Sequence, residues 1–88
     1  MATNAGIDFH GSGGIPIHNE TPSGTINGSN DTFALAHTPN PPTSLLLFKS
    51  GLLQRAGGND YTLTGGSIVF EPSAIPASGD SLMATYSY

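Results

Sequence analysis

The chain has no cysteine and no tryptophan, and its only fixed cations are Lys49 and Arg55. Without cysteine there is no disulfide staple and no thiolate metal site. Two cations against six carboxylates leave a formal net charge of −4. Phosphate backbones and anionic headgroups are held by clustered Lys and Arg, so neither nucleic acid nor membrane is an expected partner. Long hydrophobic runs are missing too. No stretch reaches the length of a membrane span, and the N-terminus lacks a basic segment followed by an apolar one. The expectation is a chain made and folded in a cytoplasm.

Size adds a further constraint. A chain of 88 residues buries only about 60–65% of the surface that it exposes when unfolded. With no staple available, assembly with other chains is the common remedy, and a homo-oligomer is expected. Charged residues make up 9% of the chain, so little of its exterior is strongly hydrated.

What is present is a β pattern. Hydrophobic residues reach 36% alongside 12 Gly and 7 Pro, with the apolar residues in short runs broken by Gly, Pro, Asn and Ser. Such punctuation marks an all-β domain. Its clearest unit is Asp60–Phe70, D-Y-T-L-T-G-G-S-I-V-F. With Gly65 and Gly66 central in the turn, both able to take positive φ, Thr64 pairs with Ser67 and Tyr61 with Phe70. Tyr61, Leu63, Ile68 and Phe70 then share one face. Ser50-Gly51 is a second two-residue turn, setting Lys49 opposite Leu52 and Phe48 opposite Leu53. Leu46, Phe48 and Leu53 share a face, with Arg55 at its rim.

Other segments follow the same logic. Thr25-Ile26 is a short first strand, and Thr32–Ala36 a second with Phe33 and Leu35 on one face. Ser44–Phe48 is apolar enough for a central strand buried on both faces. Asp80–Tyr88 alternates Leu82, Ala84, Tyr86 and Tyr88 against Ser81, Met83, Thr85 and Ser87. His37–Thr43 and Glu71–Gly79 are proline-rich crossing loops between sheets. Seven short strands in about seventy residues predict an Ig-like antiparallel β-sandwich over residues 20–88, with a small β-barrel as the alternative.

Residues 1–19 are unlike the rest. Gly11–Gly14, G-S-G-G, separates two apolar patches, and Pro16 disfavours a central strand. The segment is either a leader or an extended arm whose Ile7, Phe9, Ile15 and Ile17 dock on a neighbouring subunit. Four large apolar residues favour the arm.

Little here carries chemistry. His10, His18 and His37 show no metal-ligand spacing, and no G-x-S-x-G joins a strand to a helix. Gly11–Gly14 has no strand before it and no helix after it, so it is not a phosphate cradle. Asn27, Ser29 and Asp31 alternate as in a calcium loop but lack its closing glutamate. No catalytic residue, metal or cofactor is assigned, and the chain is not expected to be an enzyme. Tyr61 belongs with the core. Tyr86 and Tyr88, near the C-terminus, either cap the core or face a partner, such as a sugar or another chain.

Four segments carry a resemblance: T-I-N-G-S-N-D-T-F-A-L at Thr25–Leu35, L-L-L-F-K-S-G-L-L at Leu45–Leu53, G-N-D-Y-T-L-T-G at Gly58–Gly65 and G-D-S-L-M-A-T-Y at Gly79–Tyr86. Residues 20–88 thereby resemble a small β domain that recurs in tailed-bacteriophage virion proteins. Ser50 stands where that pattern would have Asn. The matching residues are turns and core positions, so the resemblance brings no ligand or catalytic residues. It implies a virion structural protein, foremost a capsid decoration (cement) protein on the outer surface of a phage head. The major capsid protein would be its main partner and a trimer its stoichiometry. A tail or baseplate adhesion module that binds host glycans, and a neck or connector protein, are the alternatives. The partner interface would use Ile7, Phe9, Ile15, Ile17, Tyr86 and Tyr88.

Overall fold

A computed structural model describes residues 14–88 of the chain. These form seven strands: β1 (Pro16–Glu20), β2 (Thr32–Ala34), β3 (Leu46–Lys49), β4 (Leu52–Leu53), β5 (Tyr61–Thr64), β6 (Ser67–Phe70) and β7 (Leu82–Ser87). One antiparallel sheet has the order β1-β7-β3-β4, and the other β2-β6-β5. The expected sandwich is what the chain forms. Among the described residues no strand pairing joins the two sheets into a barrel. Among the described residues the first strand neighbours the last, whereas immunoglobulin domains place strands A, B, E and D in one sheet and C, F and G in the other.

The β5–β6 hairpin has the register that its sequence specifies, from Thr64 opposite Ser67 to Tyr61 opposite Phe70. Only Gly65, at φ 57°, has positive φ. One positive-φ residue at the first central position is the II′ pattern rather than I′. The β3–β4 hairpin also keeps its expected pairs, Phe48 with Leu53 and Lys49 with Leu52. There both turn residues are left-handed, Ser50 at φ 50° and Gly51 at φ 84°. The Ser50 hydroxyl donates to Asp80 Oδ1 (2.8 Å) and the Ala77 N–H to Asp80 Oδ2 (2.8 Å). The Ala77 and Ser50 donors hold the Asp80 carboxyl below the usual range. Serine at this turn therefore ties the β3–β4 hairpin to the entrance of β7.

The N-terminal expectations need correction. Thr25-Ile26 is not a strand. Ser23 alone bridges Ala34, and the Thr25 carbonyl is taken by the Asn30 side chain (3.1 Å). Among the described residues the first strand is instead Pro16–Glu20, antiparallel to β7 at the edge of the sheet. Pro16 is tolerated there because it is the first residue of an edge strand. The boundary at residue 20 thus cuts through a strand, and residues 15–19 belong to the domain's own sheet. Between Ile17, opposite Tyr86, and Glu20, opposite Ala84, β1 carries an extra residue. Asn19, at φ 59°, absorbs that bulge in the left-handed region where asparagine is least penalised.

The core lies between the sheets. Phe33, Leu35, Tyr61, Ile68 and Phe70 from one side meet Leu45, Leu47, Leu82, Ala84 and Tyr86 from the other. Phe33 and Phe70 pack edge to face with centroids 5.7 Å apart. The two proline-rich loops cross between sheets as expected, from β2 to β3 and from β6 to β7. The strand at Ser44–Phe48 is central in its sheet but not buried on both faces. Leu45 and Leu47 are buried, whereas Leu46 is 46% exposed, because the second sheet covers only one side.

Gly65→Val tests the turn. A β-branched side chain at φ 57° should cost about 1–3 kcal/mol, read as a lower urea midpoint. An unchanged midpoint would remove the turn assignment.

Candidate interaction surface

The bulge at Asn19 decides where Glu20 points. Simple alternation would set Glu20 beside Pro16 and His18 on the outer face. The extra residue turns it inward, opposite buried Ala84. There the Tyr86 hydroxyl donates to Glu20 Oε1 (2.5 Å) and the Ala36 N–H to Oε2 (2.7 Å). The same hydroxyl accepts the His37 N–H (3.2 Å), and the His37 ring stacks on Tyr88 at 3.7 Å. One corner thus joins the bulged edge strand, the first crossing loop and the C-terminal strand. Burial, and then the bond to Glu20, push the Tyr86 phenol up to about 12; burial also raises Tyr61.

This corner places most of the residues expected at an interface. Ile7 and Phe9 lie outside the described residues. Ile15 exchanges backbone hydrogen bonds with Tyr88 (2.7 and 3.0 Å), and its side chain is exposed. Ile17 is half-buried against the domain's own core and faces Tyr86 across the strands. Tyr86 is buried, so its expected exposure to a partner or sugar is corrected: its ring fills the core. Tyr88 is half-buried, with one ring face covered by His37. The structure brings Ile15, Ile17, Tyr86 and Tyr88 together, but as a closure of this chain's own sheet.

The surface open to another molecule lies elsewhere. On the outer side of the four-stranded sheet, Phe48 stands between Leu53 on β4 and Met83 on β7. Leu46 lies two residues along β3 on the same side. Leu46, Leu53 and Met83 are 46%, 54% and 38% exposed, and Phe48 is half-buried. The remaining β7 residues on this side are Thr85 and Ser87. The four residues are themselves uncharged, with Arg55 at the rim of the face, and singly scattered apolar residues would need no account whereas a contiguous group does. Sequence analysis placed Leu46, Phe48 and Leu53 on one face; that this face is the one left uncovered required the sheet order.

Two other features are bland. An open cleft of about 380 Å³ lies between the first crossing loop and β5, lined by Pro42, Leu45, Ala56, Tyr61 and Leu63 among others. Tyr61 is the one ionisable group in its lining, and no nucleophile and base converge there. The calcium-like Asn27–Asp31 stretch uses its oxygens locally: Asn27 Oδ1 accepts the Ser29 and Asn30 N–H groups, and Asp31 Oδ1 accepts the Thr32 hydroxyl. Among the described residues no three His, Cys, Asp or Glu are grouped to hold a metal.

Comparison with protein-family models, with curated proteins and with solved structures finds no match to this chain. The class that the described residues define is a small all-β, two-sheet sandwich with one exposed apolar sheet face.

The Tyr86 corner predicts an alkaline limit. The folded protein holds the Tyr86 proton more tightly than the unfolded chain, so raising pH from 10 to about 12 favours unfolding. Stability should be level below pH 10 and fall above it, less steeply in Tyr86→Phe. Equal slopes for the two proteins would mean that Tyr86 is not held as described.

Proposed function

We propose that this chain is a structural protein of a tailed-bacteriophage particle, a capsid decoration (cement) protein bound to the outside of the head. The observation that carries the assembly role is the exposed apolar outer sheet face built from Leu46, Phe48, Leu53 and Met83. A small cysteine-free domain that leaves such a face open gains stability by mass action when a folded partner covers it. The virion setting rests on the resemblance in Thr25–Leu35, Leu45–Leu53, Gly58–Gly65 and Gly79–Tyr86. The net charge of −4 suits a position outside a shell packed with DNA. The major capsid protein is the proposed partner, and a trimer is proposed by analogy.

The glycan-binding alternative loses its aromatic platform, because the Tyr86 ring is buried and the Tyr88 ring is stacked on His37. A neck or connector protein would use the same apolar face. Where the protein sits on the particle separates it from a head protein.

Purified protein should bind undecorated heads saturably and raise their resistance to heat. Leu53→Ser with Met83→Ser, both on the exposed face, should leave the fold intact and weaken head binding by at least tenfold. Loss of two partly buried apolar side chains at about 25 cal/mol per Å² supplies that much. Binding unaltered by these substitutions would exclude the face, and no binding by the parent would exclude the cement role.

A further inference from the structure

Sheet edges are where a sandwich can accept another strand, and this one blunts its edges unequally. β1 opens with Pro16 and bends at the Asn19 bulge. In β2, Ala34 exchanges both backbone bonds with Ser23, and β4 is only two residues long. β5 is covered at its start, where the Arg55 carbonyl accepts the Tyr61 N–H and the Tyr61 carbonyl accepts the Gly58 N–H. Those bonds run away from β6, so Tyr61 and Phe70 are a non-hydrogen-bonded pair. Two residues on, Leu63 and Ile68 are another. Ile68 turns its backbone groups to β2, opposite Phe33. Leu63 has no strand beyond it. Among the described residues neither its N–H nor its carbonyl meets a partner.

The cleft of about 380 Å³ beside β5 lies along this open stretch. Thr62, which points out of the sandwich, and Tyr61 and Leu63, which point in, all line it. It therefore follows the edge of the strand and not one face, with Pro42 and Leu45 opposite. A further polar group is left open there. Tyr61 is 2% exposed, yet among the described residues its hydroxyl has no hydrogen-bond partner, and burial alone raises its pKa. A buried hydroxyl left unpaired carries its full desolvation cost, which a hydrogen-bonding guest removes.

These features select the guest. One residue with an open N–H and an open carbonyl is matched by one residue of an antiparallel strand, which exchanges both bonds. The side chain of that guest residue shares a face with Leu63, toward the cleft. No charged side chain lines the cleft, so an uncharged guest suits it. Its volume is near the lower end of the roughly 300–1,000 Å³ of ligand sites, room for one large side chain and not for a folded domain.

We propose that this cleft takes an extended segment of a partner chain, which adds to the edge of β5 opposite Leu63 and seats one large uncharged side chain against Pro42, Leu45 and Tyr61. The Tyr61 hydroxyl then donates to an acceptor on the guest. The site goes beyond the assembly role of the outer face. It lies in the opposite sheet from Leu46, Phe48 and Met83, and its guest is a second partner, separate from the head.

The free protein gives the first test, by hydrogen exchange of the full chain. The Leu63 amide should exchange at least tenfold faster than those of Thr62 and Thr64, which bond to β6. Tyr61→Phe should leave the urea midpoint unchanged or raised. A protected Leu63 amide would mean that the edge is already occupied, and a lowered midpoint that the hydroxyl is already paired. Either result overturns the proposal.

The binding test pans a displayed library of random nine-residue peptides against the full chain. Recovered peptides should share one large uncharged side chain within an extended, β-branched sequence. Ala56→Phe, at an exposed position lining the cleft, should keep the fold and weaken their binding at least tenfold. Methylating the backbone nitrogen of the residue that bears that side chain should do the same, because it removes the donor to the Leu63 carbonyl. Saturating peptide should slow Leu63 amide exchange at least tenfold. Recovery of no binder, binders indifferent to Ala56→Phe, binders that tolerate the N-methyl group, or unchanged Leu63 exchange would each overturn the proposal. Heads are absent throughout, so this site and the cement role fail separately.

Discussion

The fold depends on β7 being held on both sides. Among the described residues it lies between β1 and β3, pairing with both. Its inward residues Leu82, Ala84 and Tyr86 are all buried, and they supply much of one core wall. The far end of β1 is secured by Glu20, which accepts from the Tyr86 hydroxyl and from the Ala36 N–H. A neutral phenol and a carboxylate at short range give a charge-assisted bond, roughly twice as strong as a neutral one. The bulge at Asn19 makes that contact possible, since without the extra residue the carboxylate would face water.

This arrangement also explains why the apolar outer face is permanent. β7 and β3 present alternate residues to the two sides of the sheet. Their inward set is consumed by the second sheet, while Leu46, Phe48 and Met83 have no third layer to meet among the described residues. Rotating them inward would require a one-residue slip of β3 or β7, which would expose Leu47 and Ala84 in their place. Both Leu47 and Ala84 are fully buried, so the slip costs more than it gains. The exposed patch is therefore a consequence of register, and covering it requires another segment.

Much of the sandwich was legible in the sequence because its signals are local. Gly65-Gly66 and Ser50-Gly51 set both hairpin registers, and the proline clusters at Pro39–Pro42 and Pro72–Pro76 marked both crossings. What was not legible depends on long-range pairing. Pro16 disguised an edge strand whose partner lies about seventy residues away, and Asn19 gave no sign of a bulge. Tyr86 and Tyr88 could be read as core caps or as partner contacts, and strand order buries Tyr86 while leaving Tyr88 half-buried. Leu46, Phe48 and Leu53 were grouped correctly, but period-two alternation cannot say which side a second sheet will cover.

The claim on which the account turns is that the outer sheet face meets other chains. The most direct measurement is methyl NMR of the full chain, with leucine and methionine methyl groups labelled, titrated with undecorated heads. The account predicts that Leu46, Leu53 and Met83 signals are lost first, while Leu63, in the opposite sheet, and Leu35, in the core, broaden only as the whole domain is immobilised. Early loss at Leu63, or loss at the same rate everywhere, would place the contact elsewhere and contradict it.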